Sequence, residues 1–202
     1  MAGIGNCETV MMETLFGIII GVGLAASCGF RVFVPMLVMS VAVKAGQLEL
    51  SDGWSWIGSW PAVICFGVAT VTEIVGFYIP WLDHVLDTMA SPAAVIAGTI
   101  AAAACVSDMS PLLQWSTAII AGGGVAGVVQ STTVLARSAS TVTTGGVGNF
   151  VVSTAELVMS FFLSIFAVVV PVVACLVLCI VAFWVVRLYF RRRARRAVLA
   201  KA

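Results

Sequence analysis

The sequence predicts an all-α membrane protein that crosses the bilayer several times. Hydrophobic residues make up 61% of its 202 positions and charged residues only 9%, where a soluble domain carries ~25% charged residues. The mean hydropathy is +1.15, and a chain of this size folded in water cannot hide so much apolar surface. The apolar residues also fall in runs of about 20, the length a helix needs to cross a hydrocarbon core of ~30 Å. A water-soluble enzyme, a secreted disulfide scaffold, a disordered chain and a nucleic-acid-binding domain are all disfavoured.

Six spans follow from the runs, at about 13–43, 60–79, 91–107, 114–137, 148–167 and 170–190. The first begins in MAGIGNCETVMMETLF, which has no basic residue and runs well past a signal-peptide core, so it reads as an uncleaved span. It is also too long. A helix of about 30 residues measures ~45 Å, and Gly21, Gly23, Gly29 and Pro35 are placed to loosen or break it. The second span follows the loop Gln47–Ser59, whose only charges are Glu49 and Asp52.

Before the third span, Pro80 ends a helix. Trp81, Leu82, Val85, Leu86 and Met89 then alternate with Asp83, His84, Asp87 and Thr88 as an amphipathic interfacial turn. Asp108 precedes Pro111 as an outer-loop turn or helix cap. The fourth span holds a second glycine cluster, Gly122, Gly123, Gly124 and Gly127. Small residues at this density allow close helix packing or mark a discontinuous helix beside a binding site. The fifth and sixth runs are nearly continuous and would measure ~60 Å as one helix, so they are two spans. Pro171 stands where the hairpin between them must turn.

The net charge of +1 hides an asymmetry: all nine carboxylates precede Arg187, and the tail carries RRRARR. That tail marks the cytoplasmic side. An even number of spans then places both termini in the cytoplasm, Arg137 at an inner boundary, and the 47–59 loop outside. Trp54, Trp56, Trp60, Trp81, Trp115 and Trp184 mostly flank the runs, as interface belts do. The six cysteines are scattered, with no CxxC pair and no zinc spacing.

The chain reads as one transmembrane domain over 1–202, with a basic tail at 187–202. Aligning Gly23–Ala26 with Gly124–Gly127, and Ala69–Glu73 with Val152–Glu156, gives halves of about 13–107 and 114–190. Each half has a glycine-rich span, a span with one Glu and a closing span. Three spans per half is odd, so the halves are expected as inverted repeats, a plan common among transporters.

Charges inside a bilayer cost about 2.5–3.5 kcal/mol even on the lenient insertion scale. Arg31, Glu73 and Glu156 lie within the spans and are the candidate solute or ion pathway, with Gly23, Gly29 and Gly124 loosening the helices beside them. An inverted repeat would set the two Glu residues face to face, with one pKa raised. Arg31 is then their counter-ion or an attractor for an anion. The alternative is a buried Arg–Glu tie that only fixes packing. Asp83 and Asp87 share a helix face beside the sole histidine, His84, and form a weak metal candidate. No cofactor motif is present.

The stretches GLAASCGFRVFVPMLVMSVA and EIVGFYIPWLDHVLDTMASPAAVIAGT resemble small bacterial integral membrane proteins known as domain of unknown function 4126. The resemblance runs from about Gly17 to Val186 and implies a compact multi-span inner-membrane domain, with no substrate, cofactor or catalytic residue to carry over. Function narrows to a small transporter or channel for an ion or solute. The alternatives are a structural or accessory membrane subunit and, below it, a lipid-headgroup enzyme using Asp83, His84 and Asp87. The bilayer is the expected partner, a homo-oligomer suits so few spans, and no nucleic acid is expected.

Overall fold

A computed structural model describes residues 2–107 and 109–171, with 180, 183, 184 and 187; side chains are described from Met11 onward, except at 80–84 and 87. Among the described residues the chain is helical, without strands: α1 (Ala2–Cys28), α2 (Phe33–Lys44), α3 (Trp60–Phe77), α4 (Pro80–Cys105), α5 (Pro111–Thr117), α6 (Gly124–Thr144) and α7 (Asn149–Val169). Local chemistry sets the boundaries. The Ser59 hydroxyl accepts from the Ala62 N–H to cap α3, whose second position is Pro61. Pro80 and Pro111 open α4 and α5, where a missing N–H costs nothing. Gly145, at φ +64°, ends α6 in a conformation that favours glycine.

The sides of the helices are reversed relative to a soluble protein. On α7 the buried face is Ser153, Glu156, Ser160, Leu163, Ser164 and Ala167, while Phe161, Phe162 and Phe166 point outward. On α6 the buried face includes Gln130, Thr133 and Arg137, and Val128, Leu135 and Val142 are exposed. The outward hydroxyls of Ser131 and Thr132 donate to their own helix, to the Gly127 and Val128 carbonyls at 2.7 and 2.9 Å. Polar groups satisfied internally and an apolar exterior are what a hydrocarbon solvent demands. Among the described residues five helical segments are long and apolar enough to cross it: Met11–Cys28, Trp60–Phe77, Thr88–Cys105, Pro111–Thr144 and Asn149–Val169. The chain is a helical membrane protein.

Glycines set the packing. A Cβ on Gly21 would stand 2.9 Å from the Ala102 Cα, and one on Gly98 would meet Ala126 at 2.5 Å and Ala25 at 3.4 Å. A Cβ on Gly122 would come within 2.6 Å of the Gly98 carbonyl oxygen. As α1 advances from Gly21 to Ala25, its neighbour on α4 falls from Ala102 to Gly98. The α5–α6 rod behaves likewise, with Gly122 beside Gly98 and Ala102 and Gly127 beside Val95. Both therefore run antiparallel to α4 and parallel to each other.

The structure revises the reading of the first segment. The run 13–43 is not one span: α1 stops at Cys28 and α2 turns back, antiparallel to α3. Val32 lies against Glu73, and Lys44 stacks on the Trp60 ring at 4.0 Å. The Ser51 N–H donates to the Ala104 carbonyl at 2.8 Å, and the Trp54 and Trp115 rings lie 6.3 Å apart. The hairpin thus returns to the face that α1 entered from, so the start of the chain and the 45–59 loop share a face rather than opposing each other. The expected inversion is met at one pair of helices and not at the other: α3 and α7, which carry the two Glu residues, are antiparallel, whereas the glycine-rich α1 and α6 are parallel. The fourth segment, finally, is not broken: a π-helical turn at 118–123 joins α5 to α6, and π turns often accompany functional sites. Most of the sixth segment, 170–190, lies outside the described residues, as do Asp108 and the basic tail after Arg187.

Two outcomes follow. Gly122→Ala should lower thermal stability in detergent, because the new methyl meets backbone. Gly124→Ala has open space and should be neutral or stabilising by up to about 1 kcal/mol; equal losses would refute the packing. Topology reporters fused before Met1 and inserted at Asp52 should report the same side of the membrane, and opposite sides would refute the hairpin.

Candidate functional site

Breaking a helix inside a bundle frees backbone donors. The first N–H groups of α2 have no carbonyl one turn back, and in the absence of water each unfilled group costs about 1–3 kcal/mol. Glu73 of α3 fills two of them. Val32 N–H donates to Glu73 Oε1 at 2.8 Å and Phe33 N–H donates to Oε2 at 3.1 Å. The carboxylate also places negative charge at the positive end of the α2 dipole. Close approach makes the break possible, since a Cβ on Gly29 would lie 2.7 Å from the Ala126 carbonyl oxygen.

Arg31 sits inside the break and is 2% exposed. Its Nη2 donates to the Ser153 carbonyl at 3.0 Å and lies 3.9 Å from Glu156 Oε2. Its Cζ stands 3.9 Å from the centroid of the Phe77 ring. Arg137 comes to the same ring from α6, with its Cζ at 4.2 Å. That guanidinium also grips Glu156 with two bonds, Nε to Oε1 at 3.0 Å and Nη2 to Oε2, the bidentate geometry that makes such pairs strong. Two arginines, two glutamates and one aromatic ring therefore form a single buried centre, formally neutral when both carboxylates are ionised.

The centre is incompletely satisfied. Arg31 Nε and Nη1, Thr70 Oγ1 and Ser153 Oγ are buried without a hydrogen-bond partner. Thr70, Glu73 and Phe77 are buried on α3 at helical spacing and share one face of it. A ladder of hydroxyls leads away along α1 and α7. Ser27 donates to the Gly23 carbonyl at 2.9 Å, Ser160 to the Ser27 carbonyl at 3.1 Å, and Ser164 to the Ser160 carbonyl at 2.6 Å.

The break brings Arg31, Glu73 and Glu156 together, with Gly29 at its apex and Gly23 supplying an acceptor one turn earlier. The two carboxylates do not pair, because each is engaged by its own donors. Gly124 is exposed with nothing near its Cα and has no part in the centre. Arg137, expected only as a boundary charge, is a full member, and Phe77 went unnoticed. Their signal was present: Arg137 and Glu156 lie 19 residues apart on consecutive helices, and Phe77 is one turn beyond Glu73. The side chains of Asp83, His84 and Asp87 lie outside the described residues, and their backbone continues into α4 rather than forming a separate interfacial helix. Among the described residues no three His, Cys, Asp or Glu side chains could hold a metal; Cys28, Cys65 and Cys105 are free thiols.

A family model matches residues 18–191, from the middle of α1 past the end of α7. The chain belongs to the family described as domain of unknown function (DUF4126). No curated protein and no solved structure matches it. In this DUF4126 member, the matched region holds the helix break and all four charges of the centre.

Removing one member of a buried ion pair typically costs about 3–5 kcal/mol, while replacing both with apolar groups is often neutral. Glu156→Leu alone should therefore destabilise the purified protein strongly, and Arg137→Met with Glu156→Leu should recover most of the loss. An additive double variant, read by thermal unfolding, would show that the pair is not coupled.

Proposed function

We propose that the protein is a small transporter or channel of a bacterial inner membrane, which passes an ion or small solute at the apex of the α1–α2 hairpin. The carrying observation is the buried helix break, at which charged side chains converge and Arg31 leaves two donors unfilled. Broken helices that present free backbone and charge to the membrane interior are how many transporters build solute sites, and intramembrane charge is costly to keep without a use.

The arginine-rich tail favours a cytoplasmic end for segment 170–190. With that segment as a further crossing, the turns at 78–79 and 145–148 face the cytoplasm and the N-terminus lies outside. The first 30 residues support this orientation, since they contain two Glu and neither Lys nor Arg. A homo-oligomer would supply walls that one small bundle lacks.

A second reading, an accessory subunit, draws on the engagement of Glu73 by two backbone donors and of Glu156 by Arg137. Flux separates the two. Proteoliposomes containing the full chain should release a subset of ions or small solutes from a panel, and Arg31→Gln should lose that release while the protein still folds. An inactive parent across the panel would favour the accessory subunit, and undiminished flux in Arg31→Gln would remove the apex from the pathway.

A further inference from the structure

We propose that the N-terminus of α2 and Arg31 form a binding site for a small monovalent anion, in which the Glu73 carboxylate is the resident occupant. This names the substrate class of the proposed transporter and rests on that reading for its use.

The carboxylate of Glu73 already shows what the site accepts. It is one negative charge with two oxygens, held by the N–H groups of Val32 and Phe33 at 2.8 and 3.1 Å. The start of a 12-residue helix aims donors and a positive dipole end at that position. A second, independent observation comes from Arg31. It is 2% exposed, stacked on Phe77 one turn from Glu73, and two of its nitrogens have no acceptor. An arginine cannot shed its proton to escape this. The other unfilled groups nearby, the hydroxyls of Thr70 and Ser153, can also donate. The centre is thus short of acceptors, which suits an anion. A cation would need carboxylate oxygens that Val32, Phe33 and Arg137 already occupy.

Charge balance leads to the same class. Glu156 is held bidentately by Arg137 and lies 3.9 Å from Arg31 as well, so Glu73 is the second carboxylate that balances the two arginines. When Glu73 swings aside, one positive charge and two backbone donors remain in a dry interior. A halide or formate-sized anion restores both charge and bonds; a divalent anion would overshoot. The anion and the carboxylate therefore exclude one another, and transit would proceed by exchange between them.

The test uses the purified full chain in detergent, with chloride or formate replacing gluconate at constant ionic strength. Glu73→Ala should gain several degrees of thermal stability as either anion is added, and the gain should saturate. The parent, whose site is filled, should respond much less. Glu73→Ala combined with Arg31→Met should not respond. Glu73→Gln, which keeps an acceptor but loses the charge, should respond as Glu73→Ala does and serves where the alanine variant is poorly recovered. If neither folds in gluconate, recovery of monodisperse protein only with chloride or formate present is the supporting result. A flat response in both single variants, an equal response in the double variant, or recovery independent of the anion would overturn the proposal. Anion efflux from proteoliposomes is read separately. Saturable binding without efflux keeps the site and removes the transport reading, whereas flux of another solute without anion-dependent stability does the reverse.

Discussion

Two backbone N–H groups at the start of α2 must find an acceptor where no water is available, and much of the architecture answers that demand. A helix that stops at Cys28 and restarts at Phe33 leaves these donors open inside the bundle. Glu73 is the acceptor, so α3 must run alongside α2 in the opposite direction with its fourteenth residue level with the break. That requirement brings Lys44 back to Trp60 and gives the first segment its hairpin form. It also sets a buried carboxylate beside Arg31, and a buried charge of one sign calls for the other. Arg137 and Glu156 then reach the same ring and the same guanidinium from the α6–α7 hairpin. The helix break and the charged centre are one constraint seen from the backbone and from the side chains.

Stability alone gives a poor reason for such a centre. Apolar residues of equal volume often replace buried ion pairs without loss, and the bundle has a working apolar alternative elsewhere. Between α1, α4 and the α5–α6 rod, glycine and alanine pack backbone to backbone with Leu24, Ala25, Ala97 and Ala101 buried. That seam needs no charge. At the break, by contrast, Phe77 is shared by two like-charged guanidiniums, and Arg31 keeps nitrogens that nothing fills. Those unfilled donors are the observation on which the proposed site rests.

Much of this could be read in the sequence. Glycine and proline density located the fracture in the first segment, and the hydropathy cost of intramembrane charge singled out Arg31, Glu73 and Glu156. The reversal of chain direction was not legible, because Gly29 and Pro35 permit a kink and a hairpin alike. What decides between them is the acceptor on α3, a contact between residues about forty apart. The inverted repeat rests on small residues that align easily, and helix direction, which bears on it, has no local signature. Arg137 was set aside because it stands near the polar end of its helix. Its guanidinium reaches inward, and only the partner on α7 reveals that. Gly124 was grouped with its neighbours by composition, yet in a helix the next residue points about 100° away, so Gly122 and Gly123 pack while Gly124 faces out.

The centre is not equidistant from the two ends of the bundle, and this asymmetry bears on how a solute would pass. Phe77 ends α3, and Glu156 is within the first three turns of α7, so the turns at 78–79 and 145–148 are close by. On that side the Tyr78 hydroxyl hydrogen-bonds Thr154 at 2.9 Å and its ring lies 5.5 Å from that of Phe150. Toward the 45–59 loop the distance is greater, and the interior there holds the hydroxyl ladder of Ser27, Ser160 and Ser164, all fully buried. A hydroxyl row can accept or donate as its rotors turn, so it can shelter an anion or a water without a fixed charge that would trap it. Opening at the Tyr78 side would part the Thr154 hydrogen bond and the Phe150 ring contact. Opening at the far side needs α1 and α7 to separate along several turns. On the exchange reading proposed above, the Tyr78 side is the shorter approach to Glu73 and the serine row the longer one.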